Sequence, residues 1–155
     1  MTPAKNSTPP LSSCEKHLAK AQSLFDELES LPADAILNRT TAVFYVAVHL
    51  VEALRCHRGE RASTCHELRN QWVRTHLPNQ FGDFKQLYTA SKWARYTVGE
   101  NTGLSQSLVM ERLMPILDSL EQTVARKLGR GKKLLRRSTP IVESPKSRSM
   151  ASEGA

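Results

Sequence analysis

The sequence has few cysteines, and they do not form the framework of a disulfide-stabilised secreted domain. The 155 residues contain three cysteines, Cys14, Cys56 and Cys65. Three unevenly spaced cysteines do not predict a set of paired disulfide bridges. We therefore expect a reducing compartment, with the cytoplasm as the location. The first residues, MTPAKNSTPP, contain no apolar stretch of the length that a signal peptide needs, so none is expected.

Long apolar runs are lacking as well. The nearest candidate, residues 42–54, carries His49 and Glu52 and falls short of the roughly 18 apolar residues that a membrane span requires. The sequence also has no Gly-rich phosphate loop, no alternation of strand and helix patterns and no internal repeat. These absences argue against a membrane protein, a nucleotide-binding α/β fold and a repeat protein.

What the sequence does contain is a series of apolar positions at three- and four-residue spacing. This spacing predicts amphipathic helices joined by short connections, and therefore an all-α, four- to five-helix up-and-down bundle over residues 12–128. Residues 1–11 and 129–155 lack the periodicity and are expected to be disordered, the second of them as a basic tail. The expected helices cover residues 12–31, 34–57, 64–76, 81–96 and 105–128.

Several residues mark where these helices begin and end. Ser12, Asp34 and Thr64 precede helical patterns and are candidate N-caps. Pro78 is expected to stop the third helix, because proline cannot continue a helix from within. Pro115 lies inside the last helical pattern and is expected either to kink that helix or to open its second half.

The net charge of +7 is unevenly distributed along the chain. Residues 1–125 contain 13 Lys or Arg and 13 Asp or Glu, whereas residues 126–155 contain nine basic and two acidic residues. Attraction to phosphate groups is therefore expected in the tail, where it would be sensitive to salt and independent of sequence.

The second predicted helix is apolar almost all round between residues 43 and 54, which indicates a central helix or one that covers a subunit interface. A polar stripe interrupts it, in which Tyr45, His49, Glu52 and Cys56 recur at helical spacing. Such groups must be hydrogen-bonded or face a cleft, since an unpaired buried polar group costs about 1–3 kcal/mol. The stripe therefore predicts either a buried network or a ligand-binding site around its first three residues.

The third segment, TCHELRNQWVRTHLP, places Arg69 and His76 on one helical face, two turns and roughly 10 Å apart. An arginine that holds a phosphate and a histidine that moves a proton suit metal-independent RNA cleavage, with the 2′-hydroxyl as nucleophile. The alternative is an exposed helix face, with a histidine in the last turn where the helix dipole favours it.

Two Cys-His neighbours raise the question of zinc, since thiolate and imidazole are its preferred ligands. Cys56-His57 ends one predicted helix, and Cys65-His66 begins the next. The sequence lacks the paired CxxC motifs that organise most such sites, so we predict neither a metal nor a cofactor.

Three segments resemble the HEPN superfamily of small helical bundles. AVFYVAVHLVEALRCHRG is similar to that family's aromatic and His-containing helix, which ends in a glycine turn, and STCHELRN to the start of its next helix. LYTASKWARY resembles the segment in which a helix ends in an Arg-x-x-Ala-x-Tyr type signature. The resemblance covers about residues 12–128.

The resemblance implies a bundle that dimerises through its central helices, and it implies RNA as the target. Many members of the family are metal-independent RNases or toxins of bacterial stress and defence systems, whose signature is Arg, four to six residues, then His. Arg69, Asn70 and His76 match it, with Asn70 orienting the catalytic pair. Other members lack the signature, so the alternative is a non-catalytic dimeric module that binds a cognate antitoxin, another partner protein or nucleic acid.

Overall fold

The described part of the chain is built from helices. The computed structural model describes residues 12–97 and 103–138, and these ranges contain no β-strand. They form an up-and-down bundle, so the all-α fold class is confirmed. No helix in these ranges combines the length and hydropathy of a membrane span. The elements are α1 (Ser13–Ser30), α2 (Ile36–His57), α3 (His66–His76), α4 (Pro78–Tyr96), α5 (Gln106–Leu108), a π-helical turn (Val109–Leu113) and α6 (Met114–Lys127).

Helix α2 lies at the centre of the bundle and contacts α1, α4, the π-helical turn and α6. Val43 and Ala47 have no exposed surface, and the ring of Phe44 packs 5.9 Å from that of Phe84 in α4. Each large apolar side chain buried in this way contributes about 1.5–3 kcal/mol. The central position explains the apolar run at residues 43–54, and it leaves that surface covered by its own chain. A homodimer through it, as the sequence predicted, would have to displace neighbouring helices.

A serine cap opens α1, as predicted, and a second serine cap opens α5 near the predicted start of the last helix. The Ser12 hydroxyl accepts a hydrogen bond of 3.2 Å from the backbone N–H of Glu15. The Ser105 hydroxyl accepts one of 3.0 Å from the N–H of Leu108. Each bond satisfies a backbone donor that the first helical turn would otherwise leave without a partner.

The other two predicted caps are wrong. Helix α2 begins two residues after Asp34, with Ala35 as its N-cap, and α3 begins two residues after Thr64, with Cys65 as its N-cap. Neither N-cap makes a side-chain hydrogen bond to the helix. Cys65 is extended, with φ −150° and ψ 164°, so the chain turns into the helix one residue later than the Thr64 pattern indicates.

Pro78 opens a helix rather than only stopping one. Helix α3 ends at His76, Leu77 alone connects the two helices, and α4 begins at Pro78 instead of the predicted Phe81. Proline fits the first position of a helix because its missing N–H has no partner there in any case.

The last helix changes its winding just before Pro115. The N–H of Met114 donates to the carbonyl of Val109, five residues earlier, which makes this turn π-helical. Because Pro115 has no N–H to donate, the regular ladder is interrupted here, and α6 continues from Met114. The second of the two predicted outcomes for this proline is therefore confirmed.

Residues 129–138, which we call the strap, fold back onto the bundle. Leu135 is 5% exposed, and the side chain of Gln22 in α1 both donates to and accepts from the backbone of Arg136. Composition alone assigned this segment to a disordered tail. The predictions of disorder for residues 1–11 and 139–155, and of a loop at residues 98–102, lie outside the described residues.

Candidate functional site

The polar side chains of α2 do not share one cavity. The Tyr45 hydroxyl accepts a hydrogen bond of 2.8 Å from Arg95, and Tyr45 lines a groove of about 710 Å³. Neither His49 nor Glu52 lines that groove. His49 lies against His17 of α1, and Glu52 is turned towards α3. The three residues predicted as one ligand-binding stripe therefore have three separate polar environments.

His17 and His49 form a hydrogen-bonded pair between α1 and α2. Their Nδ1 atoms lie 3.0 Å apart, so one ring donates and the other accepts. Burial, and then the charge of a protonated His17, lowers the pKa of His49 to about 4. Burial also lowers the pKa of His17. The lowered pKa values favour the neutral form of both rings at pH 7, in which one Nδ1 carries the proton of the shared hydrogen bond.

Arg69 is engaged inside the fold. It is 8% exposed, and its Nε donates to Glu52 Oε1 at 2.8 Å while its Nη1 donates to His66 Nδ1 at 2.9 Å. The other oxygen of Glu52 accepts from the backbone N–H of Ser63 at 3.0 Å. Burial, followed by the charge of Arg69, lowers the pKa of His66. The arginine predicted to bind a phosphate therefore joins α3 to α2.

Asn70 lies on another side of α3, in what we call the α3–α4 groove. This groove of about 470 Å³ is also lined by Phe81, Tyr88, Arg74 and Lys85. The Asn70 Oδ1 is buried and has no hydrogen-bond partner among the described residues. Arg74 and Lys85 place their charges 5.8 and 5.9 Å from the centre of the Phe81 ring. Two aromatic rings, two cations, the acidic Glu67 and Asn70 thus line one groove, and the unpaired Oδ1 of Asn70 is buried beneath its surface.

His76 lies in a polar pocket whose lining residues the sequence analysis did not predict. The pocket has a volume of about 400 Å³, and His76 shares it with Arg126 and Lys127 from the end of α6. Its Nδ1 lies 3.0 Å from an Nη of Arg58, and its ring centre is 4.6 Å from that of Trp72. Because arginine only donates, Nδ1 is the acceptor, and the neutral ring carries its proton on Nε2. We call this site the His76 pocket.

The first turn of α4 forms another wall of the His76 pocket. Its N-cap, Leu77, offers no side-chain acceptor to the helix. Pro78 has no N–H, and the Gln80 N–H donates to the Leu77 carbonyl at 2.9 Å, so the Asn79 N–H is the donor of this turn without a partner among the described residues. The Gln80 amide donates to the Thr123 hydroxyl at 3.1 Å, which holds this turn against α6. An uncapped start of a 19-residue helix attracts anions through its N–H groups and its dipole.

The three residues matched to the HEPN signature thus have different surroundings. Arg69 is paired internally, Asn70 lines the α3–α4 groove, and His76 lines the His76 pocket. Sequence reasoning placed Arg126 and Lys127 in the last helix, as the structure does, but counted their charge with the basic tail and assigned them to no site. Helical spacing does not show that they face the start of α4.

The Cys-His neighbours do not assemble into a metal site in the part of the chain that the structure describes. No group of three or more His, Cys, Asp or Glu side chains there could hold an ion. Cys65 is exposed, whereas burial raises the pKa of Cys56 and favours its uncharged thiol. A thiol of that kind is a poor metal ligand.

Comparisons with protein-family models, with curated proteins and with solved structures find no match to this chain. The resemblance to the HEPN superfamily therefore stays a prediction from the sequence motifs.

Proposed function

We propose that this protein binds RNA at the His76 pocket and cleaves it without a metal ion, as a HEPN-like endoribonuclease of a bacterial stress or defence system. The observation that carries the proposal is the convergence of His76, Arg126 and Lys127 on the uncapped start of α4. A proton-transfer group and donors for a phosphate then border one cavity. RNA as the target rests on the sequence resemblance.

Phosphate binding follows from the charges around the cavity. Arg126 and Lys127 are exposed in the last turn of α6, and no acidic side chain of residues 12–97 and 103–138 lines the pocket. An RNA phosphate held there would accept hydrogen bonds from both cations and from the backbone N–H of Asn79 at the start of α4. In this proposal Arg126 and Lys127 bind the phosphate, the role that the sequence predicted for Arg69.

In the cleavage step the RNA 2′-hydroxyl attacks the adjacent phosphorus, and the bond from phosphorus to the 5′-oxygen breaks. The products are a 2′,3′-cyclic phosphate and a free 5′-hydroxyl. When the hydrogen bond from Arg58 opens, Nδ1 of His76 takes a proton from water. The imidazolium then donates its Nε2 proton to the leaving 5′-oxygen, while the proton of the 2′-hydroxyl goes to solvent. Acid catalysis of this kind contributes about 10²–10⁴-fold.

The α3–α4 groove supports a polynucleotide over an isolated phosphate. A base stacks on Phe81 or Tyr88 in this proposal by displacing the cations that lie over them, Arg74 and Lys85 at Phe81 and Lys92 at Tyr88. The Oδ1 of Asn70 has no partner among the described residues but is buried, so it accepts a hydrogen bond from an exocyclic amine only after the side chain turns into the groove. Asn70 then acts in recognition of the base, instead of orienting the pair that the sequence predicted.

The test is cleavage of a mixed RNA pool in EDTA by the purified full chain. We expect the wild type to yield fragments with 5′-hydroxyl ends and His76→Ala to be slower by about 10²-fold or more. Arg126→Gln with Lys127→Gln should raise KM with a smaller effect on kcat. The matched control is His57→Ala, an exposed histidine at the end of α2 that does not line the pocket. Equal cleavage by the wild type and His76→Ala would refute the catalytic assignment.

A second candidate, a non-catalytic module that binds a partner protein, is favoured by Trp93. Its side chain is 49% exposed and lines a largely apolar groove of about 520 Å³ together with Ala90, Leu108 and Leu113. Exposed aromatic side chains beside apolar grooves are typical of protein interfaces. Intact RNA with every variant, together with loss of a co-purifying protein on Trp93→Ala, would favour this candidate.

A further inference from the structure

The strap and the end of α6 form the most basic part of the described chain. Residues 122–138 contain seven Lys or Arg and no acidic residue. Two of these cations are paired at the bundle, Arg130 with Glu15 and Arg137 with Asp118 and Glu121. The other five have no acidic partner among the described residues, and all five are exposed. They are Arg126, Lys127, Lys132, Lys133 and Arg136.

A buried carboxylate fixes the strap. Glu121 is 1% exposed, and its Oε1 accepts from the backbone N–H groups of Leu134 and Leu135 at 2.6 and 2.9 Å. Its Oε2 accepts from Arg137 Nη2 at 2.7 Å. Burial alone would raise the pKa of Glu121, but the hydrogen bonds from Arg137 and from the two backbone N–H groups outweigh it and lower the pKa. The carboxylate is therefore charged at neutral pH and organises the strap around itself.

Bonds to α1 hold the rest of the strap in place. Gln22 makes two hydrogen bonds, of 2.9 and 2.7 Å, with the backbone of Arg136. The N–H of Ser138 donates to the Glu29 carboxylate at 3.2 Å. The backbone is thus bound to the bundle, whereas the side chains of Lys132, Lys133 and Arg136 are exposed. Lys132 and Lys133 border a small cavity of about 100 Å³ together with Asp118 and Glu121, without an ion pair to either among the described residues.

From this arrangement we propose that the strap forms a preorganised surface for the phosphate backbone of RNA. The strap follows Arg126 and Lys127 of the His76 pocket along the chain, and in this proposal one RNA strand extends from the pocket onto the strap. This inference rests on the proposed function for the choice of RNA. Cations held in place by the fold lose less conformational entropy on binding than those of a free tail, and each phosphate contact releases counterions.

The experiment measures binding of the full chain to a fluorescent 2′-O-methyl oligoribonucleotide, which lacks the nucleophile and stays intact. The variant is Lys132→Gln with Lys133→Gln and Arg136→Gln, which leaves the buried bonds of the strap in place. We expect about a tenfold or greater loss of affinity near 0.1 M salt. The logarithm of the association constant falls linearly with the logarithm of the salt concentration. Loss of three phosphate contacts to single-stranded RNA should make this slope less steep by about 2.

The matched control removes the same charge elsewhere, with Lys16→Gln, Lys20→Gln and Arg61→Gln, all of them exposed. We expect less than about a twofold change, since contacts and not net charge carry most of the salt slope. An equal loss in both triple variants, or unchanged affinity in the strap variant, would overturn the proposal. A loss confined to anionic phosphatidylserine vesicles, with RNA binding unchanged, would overturn it too and indicate a membrane surface instead.

Cleavage of unmodified RNA separates this inference from the proposed catalysis. The strap variant should have a raised KM and an unchanged kcat, whereas His76→Ala should keep its affinity for the 2′-O-methyl probe. Strap-dependent binding by a wild type that never cleaves RNA would support the surface and refute the catalysis. RNA cleavage by the wild type with the same KM in the strap variant would support the catalysis and refute the strap as an RNA-binding surface.

Discussion

The guanidinium of Arg69 and the carboxylate of Glu52 form a buried ion pair that joins α3 to the middle of α2. Arg69 Nε lies 2.8 Å from Glu52 Oε1, and only 10% and 2% of the two side chains are exposed. Burying two charges has a large desolvation cost, which their mutual attraction roughly offsets when the remaining hydrogen bonds are also made. Here His66 and the backbone N–H of Ser63 complete them. The pair thus fixes the position of α3.

Arg69→Ala is expected to reduce the free energy of unfolding by about 3–5 kcal/mol, because it leaves the Glu52 charge buried without its partner. Urea denaturation followed by circular dichroism measures this. In the control, Arg69→Met is combined with Glu52→Gln, which removes both charges and keeps an acceptor for Ser63. The double variant should be more stable than Arg69→Ala. A loss below about 1 kcal/mol in Arg69→Ala would contradict a structural role for the pair.

Ser91 offers the opposite case, a buried polar group that contributes little. Its hydroxyl is fully buried and has no hydrogen-bond partner among the described residues. Ser91→Ala should therefore leave the free energy of unfolding unchanged or raise it by up to about 1 kcal/mol, because the desolvation cost disappears. Ser12→Ala, which removes a confirmed N-cap, is the comparison and should cost about 1 kcal/mol. A clear destabilisation by Ser91→Ala would show that the hydroxyl has a partner.

The helices could be predicted from the sequence because each depends on its own apolar spacing. The buried positions of α1, such as Ala21, Phe25 and Leu28, follow directly from that spacing. The errors arose at helix ends, where a cap pattern such as Thr64 competes with the backbone geometry of its neighbours. Pro78 is compatible both with the end of one helix and with the start of the next, and only the one-residue connection decides between them.

The candidate site was harder to predict because its members come from different helices. Helical spacing places Arg69 and His76 on one helix, but it says nothing about the residues that face them from α2 and α6. Glu52 was recognised as polar and buried without its partner being evident. The strap was missed because composition describes its exposed lysines and not the single leucine, Leu135, that anchors it.

Glu121→Gln is expected to release the strap while the bundle stays folded. The variant loses the charge that binds Arg137 and one of the acceptor oxygens on which the strap depends. Amide hydrogen exchange at Leu134 and Leu135 should then become faster by about tenfold or more, which corresponds to about 1.4 kcal/mol or more of local stability. The amides of Val46 and Ala47 in α2 serve as the internal control and should keep their protection. Unchanged exchange at both leucines would contradict the anchoring role of Glu121.

Acid should destabilise the protein through His49. Its ring titrates near pH 6.5 when unfolded but at about 4 in the fold, so the unfolded chain binds more protons between these values. The free energy of unfolding therefore falls as the pH drops through that window. The shift corresponds to about 3 kcal/mol, and we expect about 1–2 kcal/mol because solvent screens this partly exposed ring. His49→Phe keeps a ring against His17 and should flatten the dependence between pH 7 and pH 5 in urea denaturation. His57→Gln, on the exposed end of the same helix, should leave it unchanged. An equally steep profile in His49→Phe would assign the acid sensitivity to another group.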